Sequence, residues 1–170
     1  MKVLVPLDGS PLALSIVTAV RRLLDVAPDT EVHLFTVLDP RRAQGITQHP
    51  VDDSPPALAT SRGPAVSAPL PRIAESHGEA LARLHTEAED ALQAVASTHF
   101  LTANTTIHAT WSAKPAEAIC GMARDLDVDL VAMATHGRSG ISHLLAGSVT
   151  EGVIRALGRP VLVVGPDREA

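Results

Sequence analysis

Residues 129–164 read DLVAMATHGRSGISHLLAGSVTEGVIRALGRPVLVV, and this stretch decides the fold. It opens with a short apolar run at 129–134 and closes with another at 160–164. Between the two lie a glycine-rich turn and a helical pattern from about Ser148 to Leu157. Two apolar strands joined by a helix predict parallel neighbours connected by a right-handed crossover.

Three more strands are predicted earlier in the chain. Residues 2–6 (KVLVP) are apolar and are followed by a turn, and residues 31–38 (EVHLFTVL) alternate and are rich in β-forming side chains. Residues 104–110 (NTTIHAT) give a weaker strand pattern.

Three further helices are indicated by apolar residues at spacings of three and four. Ser10 and Pro11 resemble an N-cap followed by a proline at the first helical position, so we expect the first helix to begin there and to end at Pro28. The second helix is expected at about 73–97, and the third from Pro115. The predicted inner face of the first helix is Ala13, Ile16, Val20, Leu23 and Ala27. That of the second is Leu81, Leu84, Ala88, Ala91 or Leu92, and Val95, and that of the third is Ala116, Ile119, Ala123 and Leu126.

The element order is therefore β-α-β-loop-α-β-α-β-α-β. It predicts an α/β fold with an open, five-stranded parallel sheet of Rossmann-like type and helices on both faces. Residues 40–72 are rich in Pro, Ser, Ala and Gly without a usable period, and we expect a long, mobile surface loop there. Because no internal repeat is visible, residues 1–170 are interpreted as a single domain.

Composition argues against several partners. The net charge is −5 without a dense Lys/Arg stripe, and only three aromatic residues could stack on bases, which argues against nucleic acid. No apolar run approaches the roughly 20 residues that span a bilayer, and the N-terminal one is too short for a signal peptide. The single cysteine, Cys120, cannot form an internal disulfide and is expected to be a buried, inert thiol. These features lead us to expect a cytoplasmic protein without a membrane partner.

Ligands of open parallel sheets bind at the carboxyl ends of the strands. Two turns are predicted there: Leu7-Asp8-Gly9 after the first strand and the glycine-rich turn after residues 129–134. Gly147-Ser148 opens a helix, whose free N–H groups suit a phosphate, and Arg138 adds a positive charge. The alternative is that the glycines only form a common strand-to-helix turn and that Ser148 is only an N-cap.

Residues 134–164 resemble the C-terminal signature of the universal stress protein family. Its nucleotide-binding members have glycine, two residues, glycine, nine residues, then glycine with serine or threonine. Here Gly137 is the second glycine, Gly147-Ser148 complete the pattern, and Ala134 stands in place of the first glycine. The turn at residues 6–10 and the ending VLVV also resemble the family. The resemblance covers most of the chain except about residues 40–72, and it implies the adenine nucleotide alpha hydrolase-like variant of the fold.

The resemblance implies that ATP, or AMP or ADP, lies across the first and fourth strands with Mg²⁺ held mainly by the phosphates. The base and ribose would adjoin the first and second strands, and the phosphates would adjoin the glycine-rich turn and the helix after it. The residues and the resemblance together give these candidate nucleotide-binding residues: Pro6, Leu7, Asp8, Val37, Met133, Ala134, His136, Gly137, Arg138, Gly140, Gly147, Ser148, Val149 and Thr150. The last strand commonly pairs with its copy in this family, which implies a homodimer through Val161, Leu162, Val163 and Val164.

Three functions remain open at this point. The first is a stress-related regulatory protein that binds ATP and at most hydrolyses it slowly. The second is a dimeric signalling module of the same fold that does not bind nucleotide. Ala134, in place of the first glycine of the pattern, would indicate this loss of binding. The third is an enzyme such as an adenylate-transferring ligase or a pyrophosphatase of a related α/β fold. It would need a phosphate-binding motif after the first strand, and the turn Leu7-Asp8-Gly9-Ser10 is too short for one. No catalytic or metal-ligating cluster is predicted, and Asp125, Asp127 and Asp129 are interpreted as a solvated turn at the amino end of the fourth strand.

Overall fold

The computed structural model describes residues 1–11, 13–44, 76–135 and 147–165. Within these ranges each predicted strand is present to within one residue at either end. The elements in chain order are β1 (Lys2–Pro6), α1 (Ser15–Val26), β2 (Glu31–Leu38), a short 3-10 helix (Pro40–Gln44), α2 (His77–His99), β3 (Asn104–Trp111), α3 (Pro115–Asp125), β4 (Leu130–Ala134), α4 (Ser148–Leu157) and β5 (Val161–Val164).

The five strands form one sheet in the order β3-β2-β1-β4-β5, and every pair of neighbours is parallel. This confirms the predicted fold class. The chain first adds strands on one side of β1 and then crosses over to add β4 and β5 on its other side. The order of strands therefore reverses between β1 and β4, which is where open α/β sheets place their ligands.

Helices cover both faces of the sheet. Side chains alternate along a strand, so Val3 and Val5 face the α1–α2 side while Leu4 faces the α3–α4 side. We call the two resulting hydrophobic groups the α1–α2 core and the α3–α4 core. The helices contribute Ile16, Val17, Val20, Leu92 and Ala96 to the first, together with Ala13 just before α1 and Phe100 just after α2, and Ile119, Cys120, Ala123, Val153 and Leu157 to the second.

The start of α1 differs from the prediction. The helix begins at Ser15, not at Ser10-Pro11. The amides of Ala13 and Leu14 donate to the carbonyls of Ser10 and Pro11, three residues back, which is the spacing of tight turns and not of an α-helix. The Ser10 hydroxyl does accept a bond from the Ala13 amide, at 3.1 Å, so it caps this turn instead of the helix.

Helix α2 starts with a capping box that the sequence analysis did not recognise. The Ser76 hydroxyl accepts from the Glu79 amide at 3.2 Å, and the Glu79 carboxylate accepts from the Ser76 amide at 2.8 Å. Of the predicted loop at 40–72, only Pro40–Gln44 lies within the described residues, where it forms the 3-10 helix. Even α2, the longest helix described, is not apolar enough to cross a bilayer, and neither is any other helix in the described ranges.

The acidic residues before β4 are exposed, as the interpretation of a solvated turn predicts, but two of them also bind neighbouring segments. Asp129 accepts a hydrogen bond from the Lys2 backbone amide at 2.7 Å, and Asp127 accepts one from the Arg159 guanidinium at 2.7 Å. Arg159 also donates to the carbonyl oxygen of Val128. These bonds join the starts of β1, β4 and β5 at the amino end of the sheet. The prediction for Cys120 is confirmed: its thiol is buried, and burial raises its pKa.

Candidate functional site

The end of β1 presents Asp8 at the carboxyl end of the sheet. The Leu7 amide donates to the Phe35 carbonyl of β2 at 2.8 Å, and the Leu7 side chain is buried in the α1–α2 core. Asp8 is the first exposed residue beyond it, and its carboxylate accepts from the Ser10 amide at 2.9 Å. Gly9 follows with φ +78°, a conformation that glycine adopts without strain. The tight turn therefore fixes the position of the Asp8 carboxylate.

The end of β4 lies beside the end of β1, and a buried hydroxyl ties it to α4. Thr135 directly follows β4, its amide donates to the Val164 carbonyl of β5 at 2.9 Å, and its side chain is 5% exposed. The Thr135 hydroxyl accepts a hydrogen bond from the Gly147 amide at 3.0 Å. This bond sets the first turn of α4 against the carboxyl end of β4. The sequence analysis missed Thr135; the available signal was a hydroxyl immediately after a buried strand, at the predicted ligand end.

The N-cap residue of α4 is a glycine, which has no side chain to cap the first turn. Gly147 is the N-cap residue, and Ser148 is the first residue of the helix and is exposed. Ser148 is therefore not the N-cap, as the alternative interpretation of the sequence had it. The amides at the start of a helix have no carbonyl of their own helix to donate to. The acidic residue of this turn, Glu151, forms an ion pair with Arg155 further along the helix. The amides and the positive end of the helix dipole therefore face the carboxyl end of the sheet, with no carboxylate cap from a residue that the structure describes.

The other candidate residues fall into three groups. Pro6 and Val37 are half-buried at or near the ends of β1 and β2, where the base and ribose were expected. Met133, Val149 and Thr150 direct their side chains into the protein: Met133 and Thr150 are 5% and 3% exposed, and Val149 packs on the α3–α4 core. Contact of these three with a ligand would thus involve mainly their backbone. The remaining candidates, His136, Gly137, Arg138 and Gly140, lie outside the described residues.

Ala134 replaces a glycine of the family pattern without backbone strain. Among the described residues Asp127 is the one non-glycine residue with positive φ, so Ala134 occupies an ordinary conformation. It pairs with Val164 in the sheet, and its methyl group packs against the α1–α2 core. The methyl group therefore lies against the hydrophobic core, where alanine is readily accommodated.

Charge at this end of the sheet comes partly from the 3-10 helix after β2. The Arg41 guanidinium donates to the Asp39 carboxylate at 3.0 Å and 3.1 Å and, with the Arg41 amide, holds the pKa of Asp39 below its usual range. In the described part of the chain, no group of three or more His, Cys, Asp or Glu side chains is arranged to hold a metal ion. What the geometry offers a ligand is therefore an exposed carboxylate, a helix start and backbone amides.

A parallel sheet whose strand order reverses beside a helix start defines a class: doubly wound α/β proteins with a ligand crevice at the carboxyl ends of their strands. Within that class the match is specific. The universal stress protein family matches residues 1–165, and the chain belongs to this family. The resemblance recognised in the sequence is thereby confirmed.

Two universal stress proteins of Methanocaldococcus jannaschii are similar to the chain. MJ0577 is 46% identical over 50 residues, which are 29% of this chain and 31% of MJ0577. MJ0531 is 27% identical over 165 residues, which are 96% of this chain and 81% of MJ0531. The solved structure of MJ0577 has 24% identity and a TM-score of 0.65, covering 99% of this chain and 97% of that one. A universal stress protein solved in complex with cAMP has 20% identity and a TM-score of 0.55, covering 97% and 96%. At these identities, the structures show a shared fold.

Proposed function

We propose that this chain is a regulatory protein that binds an adenine nucleotide, ATP foremost, at the carboxyl ends of β1 and β4. The observation that carries the proposal is the hydrogen bond between the Thr135 hydroxyl and the Gly147 amide, which holds a helix start beside the reversal of strand order. Membership of the universal stress protein family supports it, as does the relative of the same fold that was solved with cAMP, also an adenine nucleotide.

In this arrangement the phosphates accept hydrogen bonds from the leading amides of α4, and the base and ribose lie toward Asp8 and Val37. The glycine-rich turn with Gly137 and Arg138 would supply the remaining phosphate contacts. Mg²⁺ prefers phosphate oxygens and water over a dedicated protein cage, so we propose that the nucleotide brings it.

The proposed role is binding, with hydrolysis at most slow. Bound nucleotide would report the energy state of the cell to a stress response through a surface that changes on binding. The same fold without nucleotide, acting as a signalling module, is the outcome if the binding experiment below fails.

A proline substitution at Ser148 tests whether the start of α4 binds the phosphates. Gly147 has φ −60° and ψ 159°, the extended conformation that a residue before proline needs, and proline is favoured at the first helical position. Ser148→Pro should therefore keep the fold while removing one amide and one hydroxyl; Ser148→Ala removes the hydroxyl alone. Titration calorimetry with ATP and MgCl₂, at about 0.1 mM protein, would detect Kd values in the micromolar range.

We expect the native chain to bind ATP, Ser148→Pro to bind it about tenfold or more weakly, and Ser148→Ala to fall between them. AMP binding should respond less than ATP binding to the proline, since AMP lacks the outer phosphates. Ser97→Ala, an exposed serine on α2, is the matched control and should bind as the native chain does. Equal affinities of native and proline variants would place the phosphates elsewhere, and no heat from the native chain would favour the module without nucleotide.

We further propose a homodimer through β5. This strand is the outer strand next to β4, and all four of its residues, although apolar, are only half-buried. Val131 and Thr135 donate to the carbonyls of Pro160 and Val164, so alternate peptide groups of β5 point away from β4. The Val163 amide is one of these, so Val163→Pro should spare the β4 ladder and yield a monomer in light scattering, whereas Val163→Ala stays dimeric. A native chain that is monomeric at tens of micromolar would contradict this proposal.

A further inference from the structure

Two histidines lie nitrogen to nitrogen between β2 and the outer strand β3, away from the proposed nucleotide site. The Nδ1 atom of His33 is 3.2 Å from the Nε2 atom of His108, and the ring centroids are 5.4 Å apart. In the ladder His33 pairs with Thr106 and His108 pairs with Phe35, so the two are diagonal neighbours on one face of the sheet. We call them the histidine pair.

The inner member of the histidine pair is poorly hydrated. His33 is 9% exposed, and its Nε2 atom is buried without a hydrogen-bond partner among the described residues. The nearest carboxylate oxygen, on Glu31, is 3.9 Å from that nitrogen, which exceeds hydrogen-bond distance. Burial is the main reason that the pKa of each imidazole is lowered, and His108 lowers that of His33 further.

The facing nitrogens limit the number of protons that the histidine pair can hold. A neutral pair, or a pair with one extra proton, still has a bare nitrogen that accepts the N–H of the other ring across 3.2 Å. In a doubly protonated pair both facing nitrogens carry hydrogen, so the hydrogen bond is lost and two positive charges face each other. The neutral histidine pair can therefore bind one additional proton and keep its hydrogen bond, but a second additional proton breaks that bond.

The described charges around the histidine pair act on it in opposite directions. On β2, Glu31 raises the pKa of His33 from a distance, whereas Lys2 on the neighbouring β1 lowers it. Helix α3 packs on β2 from the same side, but its Glu117 pairs with Lys114 and its Arg124 donates to the carbonyl of Ala156. The remaining charged residue of α3, Asp125, is not among the groups that shift the pKa of either imidazole.

We propose that the histidine pair is a proton-sensitive junction between β2 and β3, which weakens the attachment of the outer strand when the surroundings become acidic. Because the folded chain binds these protons less readily than the unfolded chain, stability is fully present above the ordinary histidine pKa of 6.5 and falls as the pH drops below it. The inference does not depend on nucleotide binding.

The test compares thermal unfolding midpoints at pH 7.5 and pH 5.0, without nucleotide and with a chelator to exclude metal binding by the two rings. His108→Gln keeps an amide that can donate to His33 but cannot become charged. We expect the native Tm to fall by about 3 °C more than that of His108→Gln over this range. His77→Gln, at an exposed position on α2, is the matched control and should fall as much as the native chain.

A second measurement applies even if His108→Gln does not fold. In a proton NMR titration of the native imidazoles, the His33 and His108 signals should both titrate below pH 6.5. Hydrogen exchange of β3 amides, corrected for the intrinsic rate, should accelerate on acidification more than that of β4 amides. Signals that titrate at or above pH 6.5, or equal falls in Tm of native chain and His108→Gln, would overturn the proposal.

Discussion

At the amino end of the sheet, charged side chains bind the backbone of neighbouring segments: Asp129 holds the amide of Lys2, and Arg159 holds the carbonyl of Val128. At the carboxyl end, Asp8 and Ser148 are exposed, and a part-buried side-chain hydrogen bond joins Thr135 to Gly147. The turns at both ends contain Asp and Gly. What differs is that the charged side chains at the amino end bind the backbone of distant segments, whereas the Asp8 carboxylate at the carboxyl end accepts from the amide of its own turn and is exposed to solvent.

This difference teaches that residue type alone does not identify a site. The acidic residues before β4 resemble a site in composition, yet the structure commits two of the three to chain packing. If the comparison is right, substitutions at the amino end lower stability without altering nucleotide affinity, and those at the carboxyl end alter affinity.

The largest effect is expected at Arg159. Replacing it with alanine leaves the carbonyl of Val128, whose residue is fully buried, without its charged donor. We expect the free energy of unfolding to fall by about 2 kcal/mol, which lowers Tm by about 4–8 °C, with ATP affinity unchanged. Arg155→Ala removes only an exposed pair within α4 and should change Tm little. A loss of affinity in Arg159→Ala at a temperature where it is folded would break the comparison.

The second effect concerns the link at the carboxyl end. Thr135→Val keeps the shape of the side chain but leaves the Gly147 amide without its acceptor. We expect a loss of about 1–2 kcal/mol in stability and, because the start of α4 is released, a loss of affinity of about tenfold. Thr135→Ser retains the hydroxyl and should bind almost as the native chain does. The measurements are calorimetric titration with ATP and thermal unfolding. An unchanged ATP affinity in Thr135→Val would show that the Thr135–Gly147 hydrogen bond does not contribute to nucleotide binding.

The third effect is in the middle of α4, the helix that joins the two ends. A Cβ atom at Gly152 would lie 2.9 Å from the Cβ of Ala116 on α3, so Gly152→Ala must push the helices apart. We expect a net loss of about 1 kcal/mol, because the gain in helix propensity offsets part of the strain. At Gly121 on α3 an added Cβ meets nothing within 4 Å, so Gly121→Ala should raise stability by about 1 kcal/mol. Denaturant titration gives the free energy of unfolding of both variants. A Gly152→Ala variant that is more stable than the native chain would contradict the prediction.

The smallest effect on stability is expected at Asp8. Asp8→Ala should weaken nucleotide binding by about threefold to tenfold and leave Tm within about 2 °C of the native value, because the side chain is exposed. Asp8→Asn keeps an oxygen that can accept from the Ser10 amide and so separates the turn from the charge. Equal binding by all three proteins would remove Asp8 from the site and weaken the contrast between the two ends.

Much of the fold could be predicted because its signals are local. The apolar runs at 2–6, 31–38 and 129–134 and the helix after Gly147 are visible as periodicity and as turn residues, and the alternation of strands with helices fixes a parallel sheet. The start of α1 could not be predicted in the same way. Ser10-Pro11 satisfies the rule for a helix start, but the same residues also suit the turn of three-residue spacing that the structure adopts.

The sequence by itself determined the class of fold, the family and the end of the sheet at which a ligand is expected, since these depend on the order of elements and on short motifs. Only the tertiary structure decided that Thr135 holds the start of α4, that the methyl group of Ala134 packs on the core, and that Asp129 and Arg159 serve the fold. It also brought His33 and His108, 75 residues apart, to within 3.2 Å. The physical reason is that hydrogen bonds and burial between distant segments depend on strand register and side-chain direction, which no local pattern of residues specifies.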